Sequence, residues 1–302
     1  MSTFANKIDF VAFVSVNMAN SNGDPLNGNR PRTDYNGFGE ISDVCIKRKI
    51  RNRMQDQGKA IFVQSDSRCS DGYGSLEERA KALIKKYGID MKTQKDAKEV
   101  FSRKACEEYL DVRSFGQVFA FGKGKSKKGN DAEENGEDGN GVSVGIRGPV
   151  SIHQAVSLSP VDIESIQITK SVNGNDKEGL ASDRMGSKHF VRFGLYEIKG
   201  SINVQLAEKT GFSEEDADTV KECLRTLFVN DASSARPDGS MEVVRLYWWK
   251  HNCKEGQYSS ARVHRSVKAT LKEGIVIPTS VDDYEITVEA LEGLAPEVID
   301  GL

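Results

Sequence analysis

The run IDFVAFVSV, residues 8–16, is apolar, β-branched and aromatic almost throughout. It is too short for a typical helix, and its composition favours a strand that is buried in a sheet. We therefore predict a buried first strand that ends at Asn17. The chain has 302 residues, enough for a sizeable core built as one large domain or two modest ones.

A polar loop and a basic helix follow this strand. Residues 18–39 are rich in Asn, Gly, Asp and Pro, which supply turns and positive φ angles. Loops of this length are uncommon unless they are functional. Ser42 or Asp43 then caps a predicted helix that stops at Gly58. Its buried stripe falls at four-residue spacing on Ile46, Ile50 and Met54.

The remaining elements follow from capping boxes, helical spacing and apolar alternation. They are helices at residues 75–88, 93–110 and 213–230, and strands at 142–158, 163–170, 189–206 and 241–249. With insertions set aside, the order is strand, helix, strand, strand, helix, strand, the split βαβ pattern of ferredoxin-like folds and RNA-recognition domains (RRMs). We predict an α+β fold with an RRM/ferredoxin-like core, although the glycine-aromatic RNP signature of ordinary RRMs is missing.

Two segments differ in composition from the predicted core. Residues 122–141 are low in complexity and carry little that a core could bury, so we expect a flexible surface loop. Residues 171–188 lie between two strands and suggest a long hairpin arm, with a flexible loop as the alternative. Leu180 and Met185 are its apolar wedges, a type of side chain that can insert between bases. Its cations are Lys170, Lys177, Arg184 and Lys188.

Charge and cysteine usage limit the class of protein. The formal net charge is −3, but acids are concentrated in residues 131–138 and 273–300, so the field elsewhere can be positive. No apolar run approaches the ~18 residues that span a bilayer, and no signal pattern opens the chain, so we expect a soluble cytoplasmic protein. Five scattered cysteines argue for reduced thiols: Cys45, Cys69, Cys106, Cys223 and Cys253.

Motifs for catalysis are missing from the sequence. There is no phosphate-binding loop, no nucleophile elbow and no zinc-binding helix, and the four histidines have no metal-ligand spacing. Asp24 and Asp34 could hold a divalent metal or act in RNA cleavage, but a lone carboxylate in a turn is more often a turn residue. We predict no catalytic residue, no metal site and no cofactor.

The predicted helix that follows the polar loop carries five cations in the seven residues KRKIRNR, 47–53. Cations at helical spacing can meet successive phosphates without reading bases, whereas the alternative is a solvated charged face. Two observations favour binding. Few acids stand in register to neutralise the helix, and the preceding loop can present backbone N–H groups to phosphates.

Several motifs together resemble one family. They are NSNGDP at 20–25, the R-x-D of Arg32 and Asp34, IKRKIRN at 46–52, RMGSKHFVRFGLY at 184–196, TGFSEED at 210–216 and NDASSARPDGSM at 230–241. These stretches, which span nearly the whole chain, resemble the multi-copy backbone subunit of the type I-C Cascade surveillance complex. That subunit is a member of the Cas-seven superfamily of CRISPR proteins.

The resemblance implies a hand-shaped subunit. Its palm would comprise residues 1–58 and 111–302, its helical finger residues 59–110, and its β-hairpin thumb residues 171–188. Copies would stack head to tail along a CRISPR RNA as an open helical filament, leaving guide bases free to pair with target DNA. Further partners would be the five-family, large and small subunits of Cascade, with no membrane.

The resemblance and the charge pattern give a set of RNA-binding residues. They are Asn20, Asn22, Gly23, Arg32, Lys47, Arg48, Arg51, Arg147, Met185, Lys188 and His189. Two alternatives remain open at this point. One is a type III-like backbone subunit with metal-dependent ribonuclease activity at Asp34, and the other is a scaffold that binds only proteins.

Overall fold

The computed structural model describes residues 3–91, 93–121, 142–169 and 185–302. The segment 122–141 lies outside the described residues, as does the segment 171–188 except for its last four positions. Within the described ranges the protein is a mixed α/β structure built on a central antiparallel sheet. None of the helices in these ranges is long and apolar enough to cross a membrane.

The elements alternate along the described chain. The helices are α1 (Asp43–Asp56), α2 (Leu76–Tyr87), α3 (Ala97–Glu108), α4 (Leu110–Phe115), α5 (Val204–Thr210), α6 (Glu214–Arg225) and α7 (Ser260–Arg265). The strands are β1 (Ile8–Ala19), β2 (Gly23–Asp24), β3 (Arg30–Pro31), β4 (Phe38–Ile41), β5 (Gly116–Phe121), β6 (Val142–Arg147), β7 (Val150–Ile152), β8 (Ala155–Pro160), β9 (Ile163–Thr169), β10 (Met185–Ile202), β11 (Met241–Lys250), β12 (Val267–Leu271), β13 (Tyr284–Val288) and β14 (Glu297–Asp300).

The predicted buried first strand is confirmed, although β1 runs on to Ala19, and it lies at the centre of the sheet. The strand order is β14–β11–β1–β10–β8–β4, with β7 and β9 also paired to the long β10. Phe10 lies opposite Gly200 of β10 and Trp248 of β11. Its ring stacks on Trp248 with centroids 5.5 Å apart. A Cβ at position 200 would clash with this ring, so the glycine makes room for it.

The continuous apolar character of β1 has a structural reason. Successive side chains of a strand point to opposite faces, and here both faces are covered. Phe10, Ala12 and Val14 pack under α1 and α6, where α1 buries the predicted stripe of Ile46, Ile50 and Met54. Val11 and Phe13 pack on the other face beneath the C-terminal segment, residues 258–294, which contains α7, β12 and β13.

Local capping sets several element boundaries. The predicted α1 and α6 begin where Ser42 Oγ accepts from Cys45 N and where Ser213 and Asp216 form a reciprocal capping box. The predicted strand 189–206 is too long at its C-terminal end, because the Asn203 side chain caps α5 and turns the chain into a helix. The predicted helix 93–110 is shorter in the structure, and a break at Tyr109 separates α3 from α4.

A third apolar cluster is separate from the two that line the sheet. It joins Leu83 of α2 and Phe101 of α3 to Phe62 and to the β5–β6 pair through Phe119 and Val144. The Phe119 ring meets Phe62 and Phe101 edge-on, with centroids 4.9 and 4.8 Å apart. Helices α2 and α3 therefore have an apolar core of their own, and strands β5 and β6 contribute side chains to that core.

Candidate nucleic-acid interface

The loop after β1 is an ordered ribbon. Strands β2 and β3 pair as Gly23 with Pro31 and Asp24 with Arg30, around the short 3₁₀ helix Pro25–Asn27. Gly28 and Asn29 both have φ near 59°, a left-handed conformation that glycine and asparagine tolerate best. A Cβ at Gly23 would clash with the side chain of Asn29, so a larger residue there would displace that side chain.

Two predicted asparagines hold this ribbon to the rest of the fold. Asn20 is 4% exposed, and its Nδ2 donates to the carbonyl of Asn29 at 2.7 Å. Its backbone N–H donates to the carbonyl of Ala235 at 2.9 Å. Asn22 Oδ1 accepts from both the N–H and the hydroxyl of Ser42, each at 2.9 Å. Asn22 therefore joins the ribbon to the N-cap residue of α1.

A groove of about 400 Å³ lies between this ribbon, the paired ends of β9 and β10, and the loop before β11. Three predicted residues line it, namely Asn20, Lys188 and His189. His189 Nδ1 lies 2.8 Å from the hydroxyl of Ser165, which also accepts from Arg30 Nη1 at 3.1 Å. Lys188 makes no ion pair within the described ranges. Among the described residues, the groove therefore has a cation in its wall without an acidic partner.

Several residues in or beside this groove were not predicted from the sequence to bind RNA. Asn29, Ser234 and Ala235 line it, and Arg30 reaches its edge through Ser165. Two of them, Ser234 and Ala235, belong to the motif at 230–241 that resembles the family, and this motif could have indicated them. Their position beside the ribbon depends on the backbone bond from Asn20 to Ala235, which joins segments that are far apart in sequence.

The two loop aspartates organise turns. Asp24 Oδ1 accepts from Leu26 N at 3.2 Å and lies 3.4 Å from Arg32 Nη2. Asp34 Oδ1 accepts from the backbone N–H groups of Asn36 and Phe38 at 2.8 and 2.9 Å. These are the contacts expected of turn residues. Across the described parts of the chain, no group of three or more His, Cys, Asp and Glu side chains could hold a metal ion.

Four of the five cations of the basic helix are paired with carboxylates, two of them in helical register, which corrects the expectation that too few acids are present to neutralise it. Each cation of KRKIRNR has a partner. The pairs are Lys47 with Asp43 at 2.9 Å, Arg48 with the Val63 carbonyl at 2.6 Å, Lys49 with Asp231, Arg51 with Asp111 at 2.9 Å, and Arg53 with Asp56 at 2.7 Å. Two of these acids come from distant parts of the sequence, and helical register therefore could not reveal them.

Arg51 joins α1 to the segment that follows it. Its side chain is 12% exposed and lies over the Phe115 ring, with 5.0 Å between the guanidinium carbon and the ring centroid. The fully buried Asp111 accepts from Arg51 Nε and from the backbone N–H groups of Phe62 and Val63, at 2.7 and 3.0 Å. This geometry favours a structural role for Arg51 over contact with a phosphate.

Lys47 and Lys49 lie in different environments on the same helix. The Lys47 side chain is 24% exposed, and its i,i+4 partner Asp43 is 42% exposed. A pair of this kind contributes little stability, so Lys47 can exchange Asp43 for a phosphate. Lys49 is buried against Asp231 and the Phe228 ring. Burial lowers the pKa of Lys49, opposed by the neighbouring Asp231 carboxylate.

Two further residues that were predicted to bind RNA, Met185 and Arg147, are not among the residues that line the groove. Met185 is 71% exposed and begins β10 opposite Thr169, three positions from Lys188 on the same strand. Its sulfur accepts from Gln167 Nε2 at 2.7 Å. Arg147 ends β6 and lines a different pocket, between α3, β6 and α5. Arg147 is therefore not part of the groove.

Sequence comparison identifies the family. The family model described as "CRISPR-associated protein Cas7" matches residues 6–289. The chain belongs to the Cas7 family. This match runs from before β1 to the end of β13, and it includes every residue of the groove. A protein from Haloferax volcanii named "CRISPR-associated protein Cas7" is 27% identical over 269 residues, which cover 85% of this chain and 73% of that protein.

Two solved structures are similar to this Cas7 family member over most of its length. One is titled "CRISPR RNA-guided surveillance complex, pre-nicking", with 15% identity, a TM-score of 0.46, and coverage of 90% of this chain and 84% of that one. The other is titled "CRISPR RNA-guided surveillance complex", with 15% identity, a TM-score of 0.44, and coverage of 86% and 74%.

Proposed function

We propose that this chain is a non-catalytic backbone subunit of a type I-C CRISPR surveillance complex, and that it binds the backbone of the CRISPR RNA in the groove beside β10. The observation that carries this proposal is the position of Lys188. It lies in a groove whose described lining contains no carboxylate, and no acid is paired to it in the described part of the chain. A phosphate would supply the missing charge.

Contacts of this kind hold a nucleic acid without reading its sequence. Lysine, asparagine and backbone N–H groups bind phosphate and sugar, which fixes the position of the strand. Sequence would then be read by pairing between the guide and target DNA. Lys47 and Arg32, whose side chains are 24% and 39% exposed, are further predicted contacts, and we assign them to the same RNA path.

The strand order supports an RRM-like palm. The segment β11–β1–β10–β8 has the order of a split βαβ fold, and α1 and α6 cover one face. Ordinary RRMs stack bases on the opposite face. Here the C-terminal segment covers that face, with Trp249 and Val263 fully buried. This cover explains the missing RNP signature and favours binding at the groove over binding on the sheet.

A different observation supports each of the other two parts of the proposed hand, the finger and the thumb. The independent apolar cluster of α2 and α3 supports a helical finger, and the cluster also includes β5 and β6. The antiparallel pairing of β9 with the start of β10, largely exposed on both strands, supports the base of a thumb. In the proposed assembly, copies stack head to tail in the cytoplasm along one RNA, with the other Cascade subunits at the ends and sides.

The groove is tested by replacing Lys188 with alanine. We expect affinity for CRISPR RNA to fall about tenfold, the loss of one hydrogen bond to a charged group, for guides of any sequence. The slope of log affinity against log salt should fall by about 0.7, the value for one phosphate on a single strand. Filter binding at four salt concentrations measures both quantities.

The matched control for this experiment is Lys85→Ala. Lys85 is an exposed lysine on α2 that does not line the groove, so its loss removes the same charge elsewhere. If Lys188→Ala and Lys85→Ala have equal affinity and equal salt slope, the assignment of the groove is wrong.

Incubation with complementary target RNA and Mg²⁺ tests the alternative function, a metal-dependent ribonuclease. Cleavage by the native chain that is abolished in Asp34→Ala would indicate a ribonuclease instead of a non-catalytic subunit.

A further inference from the structure

A second pocket, of about 420 Å³, lies away from the groove and has no role in the function proposed above. Helix α3, the end of β6 and helix α5 form its walls. We call it the α3–β6–α5 pocket. Its volume is in the range of small-ligand sites, which begins near 300 Å³.

Three cations line this pocket, and they are poorly neutralised. Arg103 lies 3.9 Å from Glu107, at the limit of an ion pair, and its side chain is 64% exposed. Arg147 and Lys209 have no ion pair or side-chain hydrogen bond within the described ranges. Among the described residues that line the pocket, Glu99 is the one carboxylate, so this lining carries net positive charge. Such a pocket attracts an anion.

The lining also has an apolar part. Ile146 and Leu206 contribute to it, so an apolar group in the pocket can pack against aliphatic side chains. Cys106 is also in the wall, and burial raises the pKa of its thiol to about 11. The thiol is therefore neutral near pH 7, and the wall offers no reactive thiolate. The features of the pocket are those of a binding site.

We propose that the α3–β6–α5 pocket binds one nucleotide of a single-stranded nucleic acid, distinct from the RNA in the groove. Arg147, Lys209 and Arg103 hold the phosphate, and the base lies against Ile146 and Leu206. A single strand is required because a duplex hides the faces of its bases. Cations with an apolar surface suit a nucleotide better than an acidic peptide, whose side chains bring charge without an aromatic face.

The test uses the full chain saturated with CRISPR RNA, so that the groove is occupied, and a labelled fifteen-nucleotide oligo-dT. Replacing both Arg147 and Lys209 with alanine should weaken oligo-dT binding about tenfold and lower the salt slope by about 0.7, the value for one phosphate contact on a single strand. The double variant Lys81→Ala/Lys85→Ala removes the same charge from the exposed side of α2 and should bind like the native chain.

Two competitors decide what the pocket recognises. Displacement of oligo-dT by dTMP at concentrations where inorganic phosphate has no effect supports a site for phosphate and base together. Equal displacement by phosphate, or by poly-glutamate, would overturn the nucleotide assignment. Unchanged oligo-dT binding by the Arg147/Lys209 variant would also overturn it.

The result is separable from the proposed function. The pocket variant should retain CRISPR RNA with native affinity, whereas Lys188→Ala should lose it. Loss of CRISPR RNA from the pocket variant would place the pocket on the guide path and contradict a second site. Oligo-dT binding that depends on Arg147 and Lys209, in a chain that fails to bind CRISPR RNA, would support the pocket and reject the groove.

Discussion

Two cations on one helix show how environment decides the role of a residue. Lys47 and Arg51 are one turn apart on α1 and have the same formal charge. Lys47 pairs with a half-exposed acid in its own helix, while Arg51 pairs with the fully buried Asp111 from α4. An exposed pair stabilises a protein by about 0–1 kcal/mol, but an uncompensated buried charge is far more costly.

We therefore predict opposite effects of alanine at these two positions. Arg51→Ala should lower the free energy of unfolding by about 3 kcal/mol, because it leaves Asp111 without its counter-charge. Lys47→Ala should lower it by less than about 1 kcal/mol, and it should weaken RNA binding. Urea denaturation measures the first quantity and filter binding the second. Equal stability of the two variants would show that the ion pair between Arg51 and Asp111 does not stabilise the fold.

Capping decides where single elements begin. In α6, Ser213 Oγ accepts from Asp216 N at 3.2 Å, and Asp216 Oδ2 accepts from Ser213 N at 2.9 Å. Asp216 also receives two bonds from Arg113, at 2.8 and 2.9 Å, so the cap joins α6 to α4. A bidentate arginine–carboxylate pair is among the stronger polar contacts in proteins. This helix start is therefore both local and tertiary.

The two parts of this cap should separate by mutation. Ser213→Ala removes only the capping acceptor and should cost about 1 kcal/mol of unfolding free energy. Asp216→Ala also leaves Arg113 unpaired in a mostly buried position and should cost about 3 kcal/mol. Thr219→Ala, in the same helix, is the control and should change stability by less than about 0.5 kcal/mol. Chemical denaturation followed by circular dichroism gives all three values.

At the scale of the whole molecule, the C-terminal segment closes the sheet. His264 of α7 is buried, and its Nε2 lies 3.0 Å from the carbonyl of Gly200 in β10 and 3.9 Å from Asp9 Oδ1. Burial lowers the pKa of His264, aided by the nearby His153 and Lys199 and opposed by the Gly200 carbonyl and Asp9. The neutral imidazole is therefore the form that fits the folded protein.

This contact gives stability a pH dependence with a definite sign. Because the pKa of His264 is lower in the folded than in the unfolded chain, its contribution is fully present above about pH 6.5. It is lost as the pH falls through the unfolded pKa towards the folded one. Between pH 7 and 5.5 the native chain should lose unfolding free energy with a His264 contribution of at most about 1.4 kcal/mol per pH unit.

The variant His264→Gln isolates this contribution. A glutamine amide can still donate to the Gly200 carbonyl but does not titrate. Urea denaturation of both proteins across this pH range should give a flatter profile for the variant. An unchanged slope would assign the pH dependence to another group.

The sequence by itself determined the local structure and the family. Strand β1, the caps of α1 and α6, and the buried stripe of α1 follow from side-chain type and spacing over a few residues. The motifs spread along the chain resemble the Cas-seven superfamily, and the family match over residues 6–289 confirms that level of the resemblance. The order of strands and helices predicted an α+β fold with an RRM/ferredoxin-like core, and the structure has a mixed α/β fold with a central antiparallel sheet.

Only the tertiary structure decided which polar residues are available to a ligand. Asp111 and Asp231 neutralise α1 from 60 and 182 residues away, so no helical register could reveal them. The groove at Lys188 arises where three distant segments meet, and Arg147 lies in another pocket for the same reason. Charge and shape at a surface depend on positions in space, whereas sequence patterns report only on neighbours along the chain.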